Sequence, residues 1–386
     1  MLWRMIGKFL TRRRMVHGRE VQEPTLQAMA ISIMGLIVAL CVCIASMLFL
    51  PAFGYAWWVF AAVAAILGWL VLGLRRKSKP QPLPGRQGWF RLILRMARLL
   101  FIFVLTLWLG LIIWSVFGPR RSDPPPKADP ALIRVVTWNI HCGQNDGPPW
   151  KQFNWPLRKH ALRAALDQIQ PDIFCVQEAT PDQVSFIEVA LPGYHRVGVG
   201  RDGKTGGEHC AIYFSQQRFE ELGGDTFWLE EPIDQPRPGS ALDVKRICTW
   251  VRLRDRVSRR TLRVYNAHLY LTEAPRLTAV KLILADIAAR DRADAVVLTA
   301  DFNASPAVPS RRLFIEAGMG DSAEKAGQRS GKPTFHCFYG IGLWSIDGIL
   351  ADQHWRVRSH LILHMKPKNI FPSDHFGLLA DLEISE

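Results

Sequence analysis

The sequence predicts an α/β fold, a two-sheet α/β sandwich preceded by three transmembrane helices. Three observations predict it. Uncharged runs too long for one buried soluble helix occupy the N-terminal part of the chain. From Leu132 onward, short β-branched segments alternate with amphipathic helical segments. Acid, amide and imidazole side chains then recur at the ends of those strands.

The first element is a basic tail, residues 1–24, carrying Arg4, Lys8, Arg12, Arg13, Arg14 and Arg19. No charged residue follows between Pro24 and Leu74, a run long enough for two spans of about 20 residues each. The spans are placed at about 29–50 and 55–74, with Pro51 and Gly54 in the hairpin between them. A third uncharged run, Leu99–Phe117, gives the third span. Trp57, Trp58 and Trp114 lie near span ends, where aromatic belts form. The loop 75–98 carries Arg75, Arg76, Lys77, Lys79, Arg86, Arg91, Arg95 and Arg98, whereas the first hairpin is uncharged. The positive-inside rule therefore puts the N-terminus and this loop in the cytoplasm and everything after Phe117 on the other side of the bilayer, in the periplasm or at the cell surface. Arg120 and Arg121 oppose this orientation with two charges only. Residues 119–130 are Pro-rich and polar and read as a stiff spacer.

The globular segment 131–386 begins with a strand at Ile133–Asn139. A helix follows at Arg158–Ile169, stopped by Pro171, and then a strand at Asp172–Gln177. Pro181–Leu191 is a helix ended by Pro192-Gly193. Strands come next at Glu208–Phe214, Arg246–Arg252 and Leu262–Tyr270, the last two joined by a short polar turn that marks an antiparallel hairpin. Arg276–Ala289 is helical, Ala295–Thr299 a strand and Ser310–Ala317 a short helix. Strands near Ser345–Leu350, Trp355–Leu363 and Phe376–Leu382 complete the chain. Such a mixture suits one domain of two packed sheets better than a parallel barrel.

Composition narrows the function class. The chain holds 48 Lys plus Arg against 34 Asp plus Glu, net +14, and 7 Cys. Its 49% apolar content excludes wholesale disorder, and the Cys count excludes a disulfide-dense mini-domain. A net charge of +14 points toward nucleic acid only when it lies on the functional domain. It does not: residues 1–130 carry 17 basic and 4 acidic residues, net +13, and residues 131–386 carry 31 and 30, net +1. The basic excess is a topology signal, with added affinity for anionic lipid head groups. The spans contain no acid or base that would make an ion path, which argues against a channel.

Six polar groups sit at strand ends: Thr137-Trp138-Asn139-Ile140-His141, Cys175-Val176-Gln177-Glu178, Asn266-Ala267-His268-Leu269, Asp301-Phe302-Asn303-Ala304, Ser345-Ile346-Asp347-Gly348 and Ser373-Asp374-His375-Phe376. Strand ends on one edge of a sheet are where α/β sites form. Glu178 is a carboxylate suited to Mg²⁺, which takes oxygen ligands and water. Asn139 and Asn303 can donate amide N–H to phosphate oxygens, and equally suit turn capping. His268 and His375 are the imidazole candidates. Arg276, at a helix start, suits a phosphate contact or a solvated helix surface equally. His141, His160 and His209 take the structural reading, and Cys175, Cys210 and Cys248 that of small core residues.

The ordered set TWNIH, QE, GEHCAIYF, NAHL, DFNASP, SIDGIL and SDHFGLLADL resembles the endonuclease/exonuclease/phosphatase superfamily with its DNase-I-like fold, over residues 131–386. The resemblance implies a divalent-metal-dependent phosphoester hydrolase with Mg²⁺, or Mn²⁺, as cofactor. It implies Glu178 and Asp374 on the metal side, Asp301 orienting or deprotonating the attacking water, Asp347 paired with His375, and Glu208 paired with His268. Three positions depart from the family pattern, Ala267, Tyr270 and Ala300, and none removes an implied ligand. The expected partners are a phosphoester substrate, nucleic acid or lipid head group, and the bilayer. No protein partner is inferred.

Overall fold

The computed structural model describes residues 11–16, 19–24, 99, 102, 103, 106, 124–146, 153–236, 244–291 and 293–385. The chain divides into two compact units, Met1–Gly118 and Pro119–Glu386. In the first, β1 (Thr11–Val16) pairs antiparallel with β2 (Arg19–Pro24), Val16 standing opposite Arg19. The expected spans at about 29–50, 55–74 and 99–117 and the loop 75–98 lie outside the described residues, apart from single helical positions at 99, 102, 103 and 106. The spacer 119–130 is described only from residue 124. Among the described residues no helix is long and apolar enough to cross a membrane.

The second unit follows the expected order closely. β3 (Ile133–Asn139), α1 (Trp155–Ile169), β4 (Ile173–Gln177) and α2 (Pro181–Ala190) come first. Then come β5 (Tyr194–Val197), β6 (Ile212–Ser215), β7 (Phe219–Trp228), β8 (Ile247–Asp255) and β9 (Thr261–His268). α3 (Glu273–Ala289), β10 (Ala295–Asp301), α4 (Pro309–Glu316), β11 (Gly320–Asp321) and α5 (Ser322–Lys325) follow. β12 (Asp347–Ala351), β13 (Trp355–Leu363) and β14 (Gly377–Ile384) close the unit.

Two six-stranded sheets result, ordered β11-β12-β10-β9-β8-β7 and β13-β14-β3-β4-β6-β5. In each, one central parallel pair (β9 with β10, β3 with β4) is flanked by antiparallel partners. The hairpin expected between β8 and β9 is antiparallel, with Cys248 opposite Ala267.

The central strands are covered on both faces. Ile133, Val135, Ile173 and Leu378 of one sheet meet Val251, Val264, Val297 and Ile349 of the other in a core between the sheets. The outer face of the first sheet, Val136, Trp138, Phe174 and Tyr213, packs on Leu162, Leu166 and Ile187 of α1 and α2. The outer face of the second, Tyr265, Ala267, Leu298 and Leu350, packs on Val280, Ile283 and Phe314 of α3 and α4. The layers are thus helix, sheet, sheet, helix. A buried bidentate pair, Arg134 Nε to Asp381 Oδ1 at 2.8 Å and Nη2 to Oδ2 at 3.0 Å, clamps β3 to β14.

One strand start and two edge strands differ most from expectation. The strand expected to begin at Glu208 begins at Ile212, because residues 208–211 hydrogen-bond to a turn instead: Arg201 N donates to Glu208 O, and His209 N to Ala179 O. β5 and β7 carry no apolar alternation strong enough to announce a strand, since β7 includes Glu220, Glu221, Gly223 and Gly224. Both lie on sheet edges, where one neighbour suffices.

The inward faces of the central strands change character along their length. Successive inward positions read Val135, Thr137, Asn139 on β3; Val264, Asn266, His268 on β9; and Val297, Thr299, Asp301 on β10. Because side chains alternate with period two, the change from apolar to polar falls at the same end of each strand. The apolar core between the sheets therefore gives way to a buried polar layer at one end. Gln177 Nε2 donates to Asn266 Oδ1 at 2.6 Å and Thr137 Oγ1 at 2.9 Å, and Thr299 Oγ1 donates to Asn266 Oδ1 at 3.2 Å. That layer is the floor of the site.

Candidate active site

Register alone brings the first residues together. Asp301 stands opposite His268 across the parallel pair and opposite Asp347 across the antiparallel one. Asn139 stands opposite Gln177, and Glu178 follows with φ 62°, a left-handed turn that swings its carboxylate back toward Asn139. The Asn139 amide donates to Glu178 Oε1 at 3.0 Å and to Asp301 Oδ2 at 2.8 Å, so it bridges the two sheets.

Two groups share Asp301. Glu178, His268 and Asp301 each offer one ligand atom, all within 4.8 Å of one another, and so do Asp301, Asp347 and His375. His268 Nε2 lies 3.4 Å from Asp301 Oδ2, and His375 Nε2 lies 4.0 Å from the same oxygen. On the far side of the second ring, His375 Nδ1 sits 3.0 Å and 3.2 Å from the two oxygens of Asp347. The segment before β14 is held in place by Ser373 Oγ donating to Asn139 O and by Trp138 Nε1 donating to His375 O.

Burial sets the electrostatics. Asp301 is 1% exposed; burial, and then the negative charge of Asp347, push its carboxyl up to about 7. For His375, burial disfavours the charged ring, but the charge and hydrogen bond of Asp347 outweigh it and hold the pKa well above the ordinary imidazole range. His268 goes the other way: burial, reinforced by the positive charge of Arg246, holds it well below that range. His268 is therefore a neutral ring. Asn303 Nδ2 donates to its Nε2 at 2.9 Å, leaving the proton on Nδ1, a buried atom with no hydrogen-bond partner among the described residues. One imidazole is thus poised as a cation and the other as a neutral ligand or acceptor.

The donor set fits a divalent cation. Two carboxylate oxygens and the Nε2 of His268 converge, with a partly open carboxylate at Glu178; ligation by that nitrogen would displace the Asn303 amide now bonded to it. The Asn139 amide and His268 Nε2 both lie between the carboxylates of Glu178 and Asp301, and a cation there would neutralise the two acids.

One expected pair is not formed, and other expected site residues have partners of their own. Glu208 does not pair with His268; Arg201 Nη1 takes its carboxylate at 2.6 Å, because the turn 200–207 folds Arg201 back over it. Asp374 stands outside both ligand groups: its carboxylate meets His141 Nδ1 at 3.3 Å and Ser373 Oγ at 3.2 Å. Burial acts to raise the Asp374 pKa, yet the His141 charge and hydrogen bond hold it below the carboxylate range. Arg276 is 4% exposed and faces inward, donating to Tyr270 O, Leu271 O and Glu273 Oε2, so it ties β9 to α3. The amide hydrogens expected for phosphate are engaged too: those of Asn139 by the carboxylates, those of Asn303 by His268 and Leu269 O.

The sequence reading missed His141. It takes φ 58° directly after β3, donates its backbone N–H to Asn139 Oδ1 at 3.0 Å, and turns its ring to Asp374. The only signal was its place two residues after Asn139. Thr334 was also missed; its hydroxyl accepts from Asp347 N and Ile346 N, both at 3.1 Å, and so fixes the start of β12.

Known proteins share the sequence pattern and the fold. The sequence pattern of the Endonuclease/Exonuclease/phosphatase family matches residues 136–375. A solved endonuclease/exonuclease/phosphatase from Bacteroides vulgatus is 30% identical, covering 66% of this chain and 99% of that one with a TM-score of 0.59. A mannosyl-6-phosphatase of Bacteroides thetaiotaomicron is 26% identical over 65% of this chain and 99% of its own, with a TM-score of 0.59. Tyrosyl-DNA phosphodiesterase 2 of Mus musculus is 23% identical over 280 residues, 67% of this chain and 68% of that protein. Two further curated relatives are matched over only 18% and 19% of their own length, so the chain spans about a fifth of them.

Proposed function

The chain belongs to the endonuclease/exonuclease/phosphatase family, and we propose that it is a membrane-anchored, divalent-cation-dependent phosphodiester hydrolase of nuclease-like type. One observation carries the reading: Asp301 is shared by a ligand group with Glu178 and His268 and by an imidazole pair with Asp347 and His375. Phosphoryl transfer needs an oriented nucleophile and neutralised charge more than covalent chemistry.

Glu178, Asp301 and His268 would hold the cation, with Mg²⁺ first and Mn²⁺ second, since an imidazole nitrogen among the donors also suits the latter. When bound, the ion supplies charge neutralisation for the phosphoryl oxygens and lowers the pKa of coordinated water. The chain's own residues do the rest. Asp301 Oδ2, nearest to both imidazoles, is placed to orient the attacking water and accept its proton. His375, kept protonated by Asp347, faces the same oxygen with Nε2 and is placed to stabilise the phosphate or donate to the leaving oxygen. Asn139 fixes the spacing of the two metal-side carboxylates.

A second reading is a phospholipid or phosphoinositide phosphodiesterase or phosphatase. The uncharged runs Pro24–Leu74 and Leu99–Phe117 favour it by placing the domain beside a bilayer, and a net charge of +1 over residues 131–386 does not favour tight binding of long DNA. The relatives include a phosphatase as well as a DNA phosphodiesterase, so the ester class is open to measurement. The test is a panel on the full chain in detergent: single- and double-stranded DNA, RNA, sphingomyelin, phosphoinositides and sugar phosphates, with Mg²⁺, Mn²⁺ or excess chelator. Hydrolysis of one class with metal, lost in Asp301→Ala, supports the reading. Activity that survives chelator or Asp301→Ala overturns it.

A further inference from the structure

Behind the two acidic strand ends lies a buried cation that the reaction scheme leaves unused. Arg311, on α4, is 3% exposed. Its guanidinium carbon stands 4.2 Å from the centroid of the Phe302 ring, its Nη1 donates to Ala304 O at 3.3 Å, and its Nη2 donates to Asp321 Oδ2 at 3.3 Å. Phe302 and Ala304 flank Asn303 in the turn that leaves β10 just after Asp301. That turn holds Asn303 at φ 50° and is itself tied to β12 by Phe302 N donating to Ile346 O at 2.7 Å.

The guanidinium reaches this place because residue 348 has no side chain. A Cβ on Gly348 would lie 2.7 Å from Arg311 Nη2 and 2.9 Å from Phe302 Cε2, closer than real Cβ contacts come. Gly348 directly follows Asp347 and pairs with Ala300, directly before Asp301. The missing side chain thus opens a slot through which a fixed positive charge approaches the backs of both candidate acids. Asp347 and Asp301 are among the charges that act on Arg311, after Asp321. An arginine is suited to this: it stays charged when buried, stacks flat on an aromatic ring and bonds two acceptors at once, which a lysine cannot do.

We propose that Arg311, admitted by Gly348, is a positioning residue for the reaction. It locks the turn 301–304, so that Asp301 and Asn303 face the ring of His268, and it places a permanent positive charge behind the acidic pair. It touches no substrate and acts through Phe302, Ala304 and the carboxylates in front of it. The inference rests on the hydrolase reading for its catalytic half only.

The test has two arms. In the first, amide hydrogen exchange is followed at Phe302 and Asn303, whose N–H groups bond Ile346 O and Asp301 Oδ1. Faster exchange there in Arg311→Met, with β3 and β14 still protected, is the expected result. In the second, kcat and KM are measured with metal for wild type, Arg311→Lys, Arg311→Met and Gly348→Ala. The expected result is a fall in kcat of about tenfold to a hundredfold in Arg311→Met, the scale of a misplacement near 1 Å, with KM nearly unchanged. Arg311→Lys falls between, and Gly348→Ala follows Arg311→Met although the arginine is present. Unchanged exchange in the turn, or a wild-type kcat per folded molecule, overturns the proposal. If Arg311→Met does not fold, Gly348→Ala decides by the same two readouts. If wild type hydrolyses nothing in the panel, the hydrolase reading falls and the exchange arm still decides whether Arg311 positions the turn.

Discussion

His375 Nδ1 is gripped by both carboxylate oxygens of Asp347, at 3.0 Å and 3.2 Å, while the opposite nitrogen of the same ring faces Asp301. The grip fixes the ring plane and keeps its proton-carrying nitrogen known. Replacing Asp347 by Asn keeps the shape and removes the charge that holds His375 protonated. Asp347→Asn should lower kcat by about 10²–10⁴-fold, the range for a disabled acid–base group, with a small effect on KM. His375→Ala should fall in the same range, and the double variant should be no worse than the worse single one, because the two act as a unit. Additive losses would show that they act separately.

The ligand group Glu178, His268 and Asp301 makes a prediction that needs no substrate. A ligand that binds only the folded state stabilises it by about 2.7 kcal/mol at a hundredfold excess over its Kd. Thermal unfolding should therefore shift upward as Mg²⁺ or Mn²⁺ is added to the metal-free chain. The shift should be lost in Glu178→Gln, which removes one carboxylate charge without vacating its volume. It should persist in Asp374→Asn, whose carboxylate is turned to His141. A shift abolished by Asp374→Asn and retained by Glu178→Gln would move the cation to the other side of Asn139.

These residues were legible in the sequence to different depths. Asn139, Glu178, His268, Asp301, Asp347 and His375 announce themselves because each lies at the end of an apolar strand; period-two alternation puts Asn139, His268, Asp301 and Asp347 on the same inward face, whereas Glu178 reaches it through its left-handed turn and His375 from the segment before β14. Their partners were less legible. Asp374 and His375 are adjacent in the chain yet turn to different neighbours, one to His141 and the other to Asp347. Glu208 was expected beside His268, but a turn that brings Arg201 back onto Glu208 leaves no trace in residue spacing. β7 escaped because an edge strand needs neither a continuous apolar face nor strong β-formers, and Gly223-Gly224 in its middle reads as a turn. Nothing in the residue spacing marks Arg311; the slot over Gly348 does.

Acid sensitivity follows from a histidine beside the site. The ring of His336 stacks on Phe376, centroids 4.0 Å apart, and accepts from Gly340 N at Nδ1, while its Nε2 has no hydrogen-bond partner among the described residues. Burial pushes its pKa down to about 3. The folded state thus requires the neutral ring, whereas the unfolded chain takes up a proton near the ordinary histidine value of about 6.5. The His336 contribution to stability is complete above that value and is lost as pH falls from about 6.5 toward about 3, at up to about 1.4 kcal/mol per pH unit. Urea unfolding of His336→Phe, which keeps a ring on Phe376, should show a shallower loss of stability between pH 7 and pH 5 than wild type. Parallel curves would show that His336 is not the group responsible.

The charge distribution makes the last prediction. Six basic residues precede the first uncharged run, eight lie between the second and third, and none lies in the short hairpin at Pro51–Gly54. If the three uncharged runs cross a bilayer and that bias sets their orientation, three crossings would leave the hydrolase domain on the side opposite the N-terminus. A reporter active only outside the cytoplasm, fused after Glu386, should then be active, and the same reporter inserted in the loop 75–98 should be silent. Arg120 and Arg121 supply the counter-test, being the basic residues immediately after the third uncharged run. Replacing both by Ser should leave the orientation unchanged, whereas removing the basic residues of loop 75–98 should produce a mixture. Activity of the loop fusion, with silence of the C-terminal one, would reverse the assignment and place the acidic site where only cytoplasmic phosphoesters reach it.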